Sequence, residues 1–309
     1  MRHDITRKLY DAFPPERKSD FWPGYLYLKY TEYFFNKALE ITGIPFKDLP
    51  PLEPGLEEML EALAIDVSEN AGSAETSLYH GKILKLKDAV KLVTQKEDVN
   101  ITPSERVVPF KVARDVVLEN PQSIVVGECP CRAASPNPCL PPGQQNVCLF
   151  LGDPWATFMD EQNPKYHRVT PDQAVEILQF CHEMGFVHTG YFEHAAGNRL
   201  DALCNCCSCC CMGIRMWNLM EGQLPLLAPS GYVAEIGEEC TGCGLCAENI
   251  CCFYAISLDD GTHRAVVDFD KCMGCGVCED ACPEKAIRLR REPAKGDPLD
   301  LDELLGKQP

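Results

Sequence analysis

Basic residues and long apolar runs are both scarce in this 309-residue chain. Lysine and arginine number 29 against 46 aspartates and glutamates, and the formal net charge is −17 at pH 7. Because nucleic-acid phosphates are bound by clustered basic side chains, we expect no nucleic-acid partner. A membrane-spanning helix needs about 20 consecutive apolar residues, and the sequence contains no such run. The remaining composition, 45% hydrophobic and 24% charged, is typical of a globular protein.

Motifs for nucleotides and for export are also missing. No G-x-G-x-x-G follows a predicted strand, and no G-x-x-x-x-G-K-[ST] is present, so bound flavin, NAD or nucleotide has no support. The N-terminal residues lack the continuous apolar stretch of a signal peptide. We therefore expect a cytoplasmic protein.

Cysteine is absent from the first 128 residues and abundant afterwards. All 20 cysteines lie between Cys129 and Cys282, mostly in tight clusters. Disulfides do not persist in a reducing compartment, and cysteines scattered through a core would not cluster in this way. The distribution therefore indicates metal binding.

One cysteine spacing occurs twice near the C-terminus. Cys240, Cys243 and Cys246 follow the pattern C-x2-C-x2-C, which recurs 32 residues later. The second copy continues as C-x2-C-x2-C-x3-C-P, the spacing that binds [4Fe–4S] clusters. A closed tetrahedral zinc site needs four ligands and explains two consecutive triplets poorly. The cysteines of the second copy are Cys272, Cys275, Cys278 and Cys282.

The first copy contains one extra residue before its fourth cysteine. Cys251 precedes Ala255 by the same offset by which Cys282 precedes Ala286. This alignment favours Cys251 as the ligand, with Cys252 replacing the proline of the second copy. The insertion could instead shift the ligand to Cys252.

Residues 232–291 resemble a bacterial-type dicluster ferredoxin domain. The resemblance implies a βαββαβ unit in which segment 232–236 pairs with 286–290, and 255–258 pairs with 264–269. It also implies two [4Fe–4S] clusters with crossed ligation. One cluster would be bound by Cys240, Cys243, Cys246 and Cys282, and the other by Cys272, Cys275, Cys278 and Cys251.

A second dense group of cysteines precedes this domain, with six cysteines within residues 204–211. On a helix, Cys206, Cys207, Cys210 and Cys211 would share one broad face. The arrangement C-P-C-R through C-N-C-C-x-C-C-C resembles a module found ahead of ferredoxin domains in anaerobe iron–sulfur proteins. We predict one or two additional iron–sulfur clusters here, with zinc or redox-active thiols as the alternative. The candidate ligands are Cys129, Cys131, Cys139, Cys148, Cys204, Cys206, Cys207, Cys209, Cys210 and Cys211.

Other residues near this group have structural interpretations. Cys181 lies within a predicted helix and is expected to be a core thiol. The histidines that flank the cysteines could be ligands or proton carriers, although isolated histidines are usually structural. They are His182, His188 and His194.

The chain divides into four predicted parts of an α+β protein. Residues 1–120 form a mostly helical region without cysteine, with helices over 25–39, 83–94 and 109–118, the last after a capping box at Thr102. Residues 121–231 form a small α/β cysteine-rich module, with a capped helix from Thr170 to Met184. Residues 232–291 are the ferredoxin-like domain, and 292–309 a frayed polar tail.

The sequence predicts an electron-transfer protein, or the electron-transfer subunit of a redox complex. Its partners would be redox proteins that donate and accept electrons. An alternative is an oxidoreductase whose cysteine-rich middle module is a catalytic cluster fed by the ferredoxin domain. A redox or iron sensor that acts by binding a partner is a third possibility.

Overall fold

The computed structural model describes residues 2–13, 15–70, 79–194 and 196–307. The chain begins with helices α1 (Arg2–Ala12), α2 (Phe21–Lys29), α3 (Thr31–Ile41) and α4 (Pro54–Asn70). The aromatic segment expected to form one helix forms two, because Tyr30 adopts φ −119° and ψ 35°, outside the helical region. Its rings still face inward, and Phe34 is only 1% exposed. These helices form an apolar layer over the rest of the chain.

A sheet of eight strands forms the centre of the protein. In spatial order its strands run β2-β3-β4-β7-β6-β1-β8, and β5 also pairs with β3. Neighbouring strands are antiparallel except β1 and β8. The strands are β1 (Tyr79–Leu84), β2 (Val99–Ile101), β3 (Val116–Glu128), β4 (Asn146–Asp153), β5 (Tyr166–Val169), β6 (Val187–Glu193), β7 (Arg199–Cys206) and β8 (Leu227–Ala228).

The sheet draws on both sides of the boundary expected at residue 120. That residue lies inside β3, and β1 pairs along its whole length with β6 of the cysteine-rich region. The helix expected over 83–94 is shorter, because Ile83 and Leu84 belong to β1 and the helix α5 spans Leu86–Val93. The N-terminal region and the cysteine-rich module therefore share one core.

Helices cover both faces of the sheet. They are α5, α6 (Pro130–Ala134), α7 (Trp155–Gln162), α8 (Pro171–Glu183) and α9 (Met212–Leu219). Successive strand residues point to opposite faces: Val125 packs with the N-terminal helices and most buried cysteines, whereas Ile124 and Val126 pack with α5 and α8. The middle cysteines thus belong to the face covered by the N-terminal helices.

The two capping boxes in the sequence behave differently. Thr170 caps α8: its Oγ1 accepts from the Gln173 N–H (3.2 Å), and Gln173 Oε1 accepts from the Thr170 N–H (2.9 Å). Thr102 begins no helix, and its hydroxyl donates to Asp115 Oδ1 at 2.7 Å. The prediction of a helix over 109–118 is wrong, because β3 begins at Val116 and pairs with β2.

The C-terminal part has the element order β-helix-β-β-helix-β. The elements are β9 (Tyr232–Ile236), a single helical turn (Cys246–Ile250), β10 (Ile256–Leu258), β11 (Ala265–Val267), α10 (Val277–Ala281) and β12 (Ile287–Arg291). β9 pairs with β12 and β10 with β11, both antiparallel. Both expected strand pairs are confirmed.

The described part of the segment after β12, residues 292–307, packs against the core around α5 and is not frayed. Leu299 and Leu301, at the start of α11 (Leu301–Leu304), are each 1% exposed. Lys91 of α5 donates to Asp300 Oδ1 at 2.6 Å. The polar composition of this tail is misleading, because its four leucines are enough to anchor it in the core around α5.

Candidate metal centres

The first cysteine triplet of the C-terminal part gathers with the last cysteine of the second copy. Burial, and then the negative charges of Cys240, Cys243 and Cys282, raise the pKa of Cys246. A small recess between the two copies is lined by Cys243, Cys246 and Cys282. The fourth thiol near this triplet therefore comes from the other half of the repeat.

The second triplet gathers in the same way with Cys251. Burial, and then the charges of Cys278 and Cys251, raise the pKa of Cys275. Burial, followed by the charges of Cys251 and Cys272, also raises the pKa of Cys278. Each triplet thus has a thiol of the other copy in its surroundings, Cys282 for the first and Cys251 for the second.

The extra residue of the first copy is absorbed in a turn with π-helical geometry. Cys246–Ile250 forms this turn where the second copy has the α-helix α10. The Cys251 N–H donates to the carbonyl of Cys246, five residues earlier, at 3.1 Å. A single π turn accommodates one additional residue without changing the direction of the chain that follows.

After the turn, Cys251 and Cys282 occupy equivalent places. Their backbone angles are φ −72°, ψ 102° and φ −72°, ψ 116°. Three residues later, Tyr254 and Lys285 adopt φ values of 51° and 52°, and their N–H groups donate to the two cysteine carbonyls at 3.2 and 3.1 Å. The Cys252 thiol points elsewhere and contacts the carbonyl of Gly185 at 3.6 Å.

Backbone N–H groups point at the thiols of both sets. The N–H of Ala265 lies 3.4 Å from Cys240 Sγ, and that of Ala234 lies 3.4 Å from Cys272 Sγ. The Ala265 contact is the main reason why the pKa of Cys240 is lowered. Each half of the repeat therefore donates to the first cysteine of the other half, an environment that stabilises thiolate ligands.

The loop of the second triplet depends on a glycine. Gly274 has a φ of 66°, and a Cβ there would overlap the carbonyl oxygen of Tyr232 and Ser230 Oγ. We expect Gly274→Ala to destabilise the fold by roughly 1–3 kcal/mol and to lower the iron content of the purified protein. Gly261→Ala is the matched control, because its nearest neighbour is 3.6 Å away and its φ is ordinary. Equal urea midpoints and iron contents for the two variants would contradict this role.

Six of the middle cysteines form a connected string between β4, β7 and the starts of α6 and α9. Each thiol along the string shifts the pKa of its neighbours through side-chain interactions. The hydroxyl of Tyr191 lies 3.5 Å from Cys211 Sγ and 3.8 Å from Cys206 Sγ. We call this string the six-thiol group. From one end to the other its members are Cys204, Cys148, Cys129, Cys131, Cys211 and Cys206.

The other four middle cysteines form a compact cluster, the four-thiol group: Cys139, Cys207, Cys209 and Cys210. Their Sγ atoms all lie within 4.8 Å of one another. Cys207 and Cys210 are buried, whereas Cys139 and Cys209 are exposed.

Arg132 lies between the two groups. It is 1% exposed, its Nε is 3.3 Å from Cys139 Sγ, and its guanidinium lies 4.4 Å from the centre of the Phe186 ring. Burial opposes its charge, but the thiolates of Cys129 and Cys207 hold the pKa of Arg132 above its usual range. Arg132 is therefore placed to offset the negative charge of thiolates in both groups.

The prediction that Cys206, Cys207, Cys210 and Cys211 share one face of a helix is wrong. Cys206 ends β7, residues 208–210 form a turn, and Cys211 is the N-cap of α9. The strand delivers Cys204 and Cys206 to one group, and the turn directs Cys207, Cys209 and Cys210 to the other. Adjacent cysteines thus enter two groups because the backbone reverses between them.

Cys181 belongs to neither group. It is fully buried on α8, and burial raises the pKa of its thiol to about 12. The structure agrees with its expected role as a core thiol.

Two of the flanking histidines form a hydrogen-bonded chain that sequence reasoning did not foresee. His182 Nε2 lies 2.8 Å from Asp280 Oδ2, and His182 Nδ1 lies 3.2 Å from His188 Nε2. His188 Nδ1 lies 2.7 Å from Oδ1 of Asn205, the residue between Cys204 and Cys206. Burial lowers the pKa of His188 to about 4. The chain joins α10 to the strand that carries part of the six-thiol group.

A buried carboxyl pair adjoins the same strand. Burial raises the pKa of Asp201 to about 8, and burial followed by the charge of Asp201 raises the pKa of Glu193. Because the folded state holds the Asp201 proton more tightly than the unfolded state, its contribution to stability falls as the pH rises from 3.8 to about 8. We expect the urea midpoint of the protein to fall over this window, and Asp201→Asn to flatten the dependence. If the urea midpoints of the unaltered protein and of Asp201→Asn depend identically on pH, the assigned role of Asp201 is contradicted.

The C-terminal repeat packs directly on the middle cysteine region. Asn218 Nδ2 of α9 donates to the carbonyl of Cys252 at 2.9 Å. The rings of Trp217 and Phe253 meet edge to face, with centroids 5.3 Å apart. The residues that follow Cys251 therefore contact α9 and the loop after α8.

Comparisons with known proteins give a family match and partial relatives. A protein family described as "4Fe-4S binding domain" matches residues 265–288. NADH-quinone oxidoreductase subunit I of Pelobacter propionicus is 30% identical over 81 residues, which are 23% of this chain and 43% of that protein. Pyruvate synthase subunit PorD of Methanothermobacter marburgensis is 36% identical over 55 residues, 18% of this chain and 60% of that protein. No solved structure matches the chain significantly.

These similarities cover only part of each protein. The chain spans 43% and 60% of the lengths of the two relatives. Together with the family match, they support an iron–sulfur electron-transfer role. Among the residues that the structure describes, no helix has both the length and the apolar character needed to cross a membrane.

Proposed function

We propose that this chain is an electron-transfer protein, or the electron-transfer subunit of a redox complex, with two [4Fe–4S] clusters in residues 232–291. The equivalence of Cys251 and Cys282 across the two halves of the repeat carries the proposal. It gives each triplet a fourth thiol from the opposite half. Clusters of this type exchange single electrons at potentials between roughly −700 and +450 mV.

The ligand sets follow from the grouping of the thiols. One set is Cys240, Cys243, Cys246 and Cys282, and the other is Cys272, Cys275, Cys278 and Cys251. The residues fit such clusters for two reasons. Backbone N–H groups point at the cysteine sulfurs, and glycines with positive φ let the backbone of the cysteine loops come close to the cluster positions.

We also propose that the six-thiol group holds a further iron–sulfur cluster. The thiols outnumber the four that a cubane cluster requires, and five of them are buried. Arg132 offsets part of their negative charge, since Cys129 is among the thiolates that raise its pKa. The hydroxyl of Tyr191 adds a polar contact in an otherwise apolar site.

The contacts between the repeat and the middle region support a relay of electrons. Cys252, next to the proposed ligand Cys251, contacts Gly185 and Asn218. The protein names of both relatives designate subunits, which supports a redox protein as the partner. Under this proposal the middle region exchanges electrons with the repeat.

Anaerobic reductive titration tests the proposal. Reduced methyl viologen should bleach the visible absorbance of the protein, and an oxidised dye should restore it over repeated cycles. Electron paramagnetic resonance should then detect two interacting reduced clusters. Protein that contains no iron, or that is bleached irreversibly, would contradict an electron-transfer role.

A further inference from the structure

The four-thiol group has a spacing suited to a single metal ion. Cys207 Sγ lies 3.6 Å from Cys139 Sγ and 3.4 Å from Cys209 Sγ, and Cys209 Sγ lies 3.6 Å from Cys210 Sγ. Four thiolates at the usual Zn–S distance of about 2.3 Å occupy tetrahedral corners about 3.8 Å apart. These three separations are within a few tenths of an ångström of that value, and all six are at most 4.8 Å.

The same chain provides a contrast. Among the described residues, which include all 20 cysteines, the four-thiol group is the one set of possible ligands whose atoms all lie within 4.8 Å of one another. The two sets in residues 232–291 are more widely spaced. A cubane needs that wider spacing, because its cysteines ligate separate iron atoms at the corners of a cube. The tight spacing of the four-thiol group leaves no room for one.

We propose that Cys139, Cys207, Cys209 and Cys210 bind one tetrahedrally coordinated zinc ion, separate from the iron–sulfur clusters. A closed site with four thiolates is typical of structural zinc. This inference goes beyond the electron-transfer role and replaces the expectation that all ten middle cysteines serve iron–sulfur clusters.

The electrostatic surroundings fit such an ion. Four thiolates and one Zn²⁺ carry a net charge of −2, which needs compensation in a partly buried site. Arg132 Nε contacts Cys139 Sγ at 3.3 Å, and its buried Nη2 has no hydrogen-bond partner among the described residues. The arginine therefore supplies a positive charge beside the proposed ion.

The position in the chain indicates what the ion does. Cys139 lies in the loop after α6, and the other three ligands lie in the turn between β7 and α9. These two segments adjoin residues of the six-thiol group, because Cys131 lies in α6, Cys206 ends β7 and Cys211 is the N-cap of α9. A zinc ion would clamp the two segments together and so hold the neighbouring thiols in position.

Metal analysis of the anaerobically purified full-length protein tests the proposal. We expect about one zinc per chain and an X-ray absorption spectrum at the zinc edge with four sulfurs at about 2.3 Å and no iron shell. Cys139→Ser and Cys209→Ser alter exposed ligands, which limits their effect on folding. Each should lower zinc occupancy at least tenfold while the two ferredoxin-type signals persist. Cys181→Ala removes a thiol outside both groups and should leave zinc unchanged.

Several outcomes would overturn the assignment. Loss of about four iron atoms in Cys209→Ser would show that the group belongs to a cluster. A single iron atom at the site would replace zinc and overturn the choice of metal. Metal-free protein with oxidised Cys139 and Cys209 would indicate redox-active thiols. None of these results bears on the clusters of residues 232–291, whose reductive titration is a separate test.

Discussion

Cys282→Ala is expected to damage the cluster bound to the first cysteine triplet, although Cys282 belongs to the second. The thiol of Cys282 lies beside Cys243 and Cys246, and its charge contributes to the raised pKa of Cys246. The variant should lose most of one [4Fe–4S] signal, or retain it as a three-iron form, while the second triplet keeps its cluster. Electron paramagnetic resonance of the reduced and oxidised variant distinguishes the two. Loss of the second triplet's cluster alone would refute the crossed assignment.

The companion variants separate the two candidates in the first copy. Cys251→Ala should remove the cluster of the second triplet, because Cys251 is the structural equivalent of Cys282. Cys252→Ala is the matched control, since its thiol contacts Gly185 instead of the other cysteines. If Cys252→Ala loses a cluster and Cys251→Ala does not, the role assigned to the π turn is wrong.

The second large effect is expected when Cys129 and Cys131 are both replaced by alanine. Cys129 interacts with Cys131 and Cys148 strongly enough for their pKa values to be linked, and Cys131 interacts in the same way with Cys211. Their removal leaves the pairs Cys148–Cys204 and Cys206–Cys211 without the thiols that connect them. We expect the double variant to lose about four iron atoms per chain, with both ferredoxin-type signals retained.

Cys181→Ala is the control for the double variant. It removes a buried thiol from the same region of the core without touching the six-thiol group. Its iron content should equal that of the unaltered protein. A double variant with unchanged iron content would contradict a cluster in the six-thiol group.

The C-terminal repeat was predictable because its information is local. The positions of Cys240 and Cys272 and their repeated spacing predict the ligand loops, and the offset to Ala255 favours Cys251. The strand pairs follow from the resemblance, and both form. The spacing does not predict the π turn that accommodates the additional residue.

The middle region could be predicted only in part because its groups depend on long-range packing. The sequence marks Cys204 to Cys211 as ligands, but helical periodicity placed Cys206 and Cys207 on the same face. In the structure, the pairing of β7 with β6 ends at Cys206, and the chain then turns. Cys139 joins the turn through a loop of no regular structure, which no local pattern could reveal. The boundary predicted at residue 120 does not divide the structure, again because of long-range packing: β1 and β3 belong to the same sheet as the strands of the cysteine-rich region.

The most direct test of the whole account is the content of iron, acid-labile sulfide and zinc per chain in protein purified without oxygen. Two clusters in the repeat, one in the six-thiol group and one ion in the four-thiol group predict about 12 iron, about 12 sulfide and about one zinc. About 8 iron atoms would contradict a cluster in the six-thiol group, and about 16 without zinc would contradict the single-metal site. Fewer than about 8 would contradict the two clusters on which the proposed electron transfer depends.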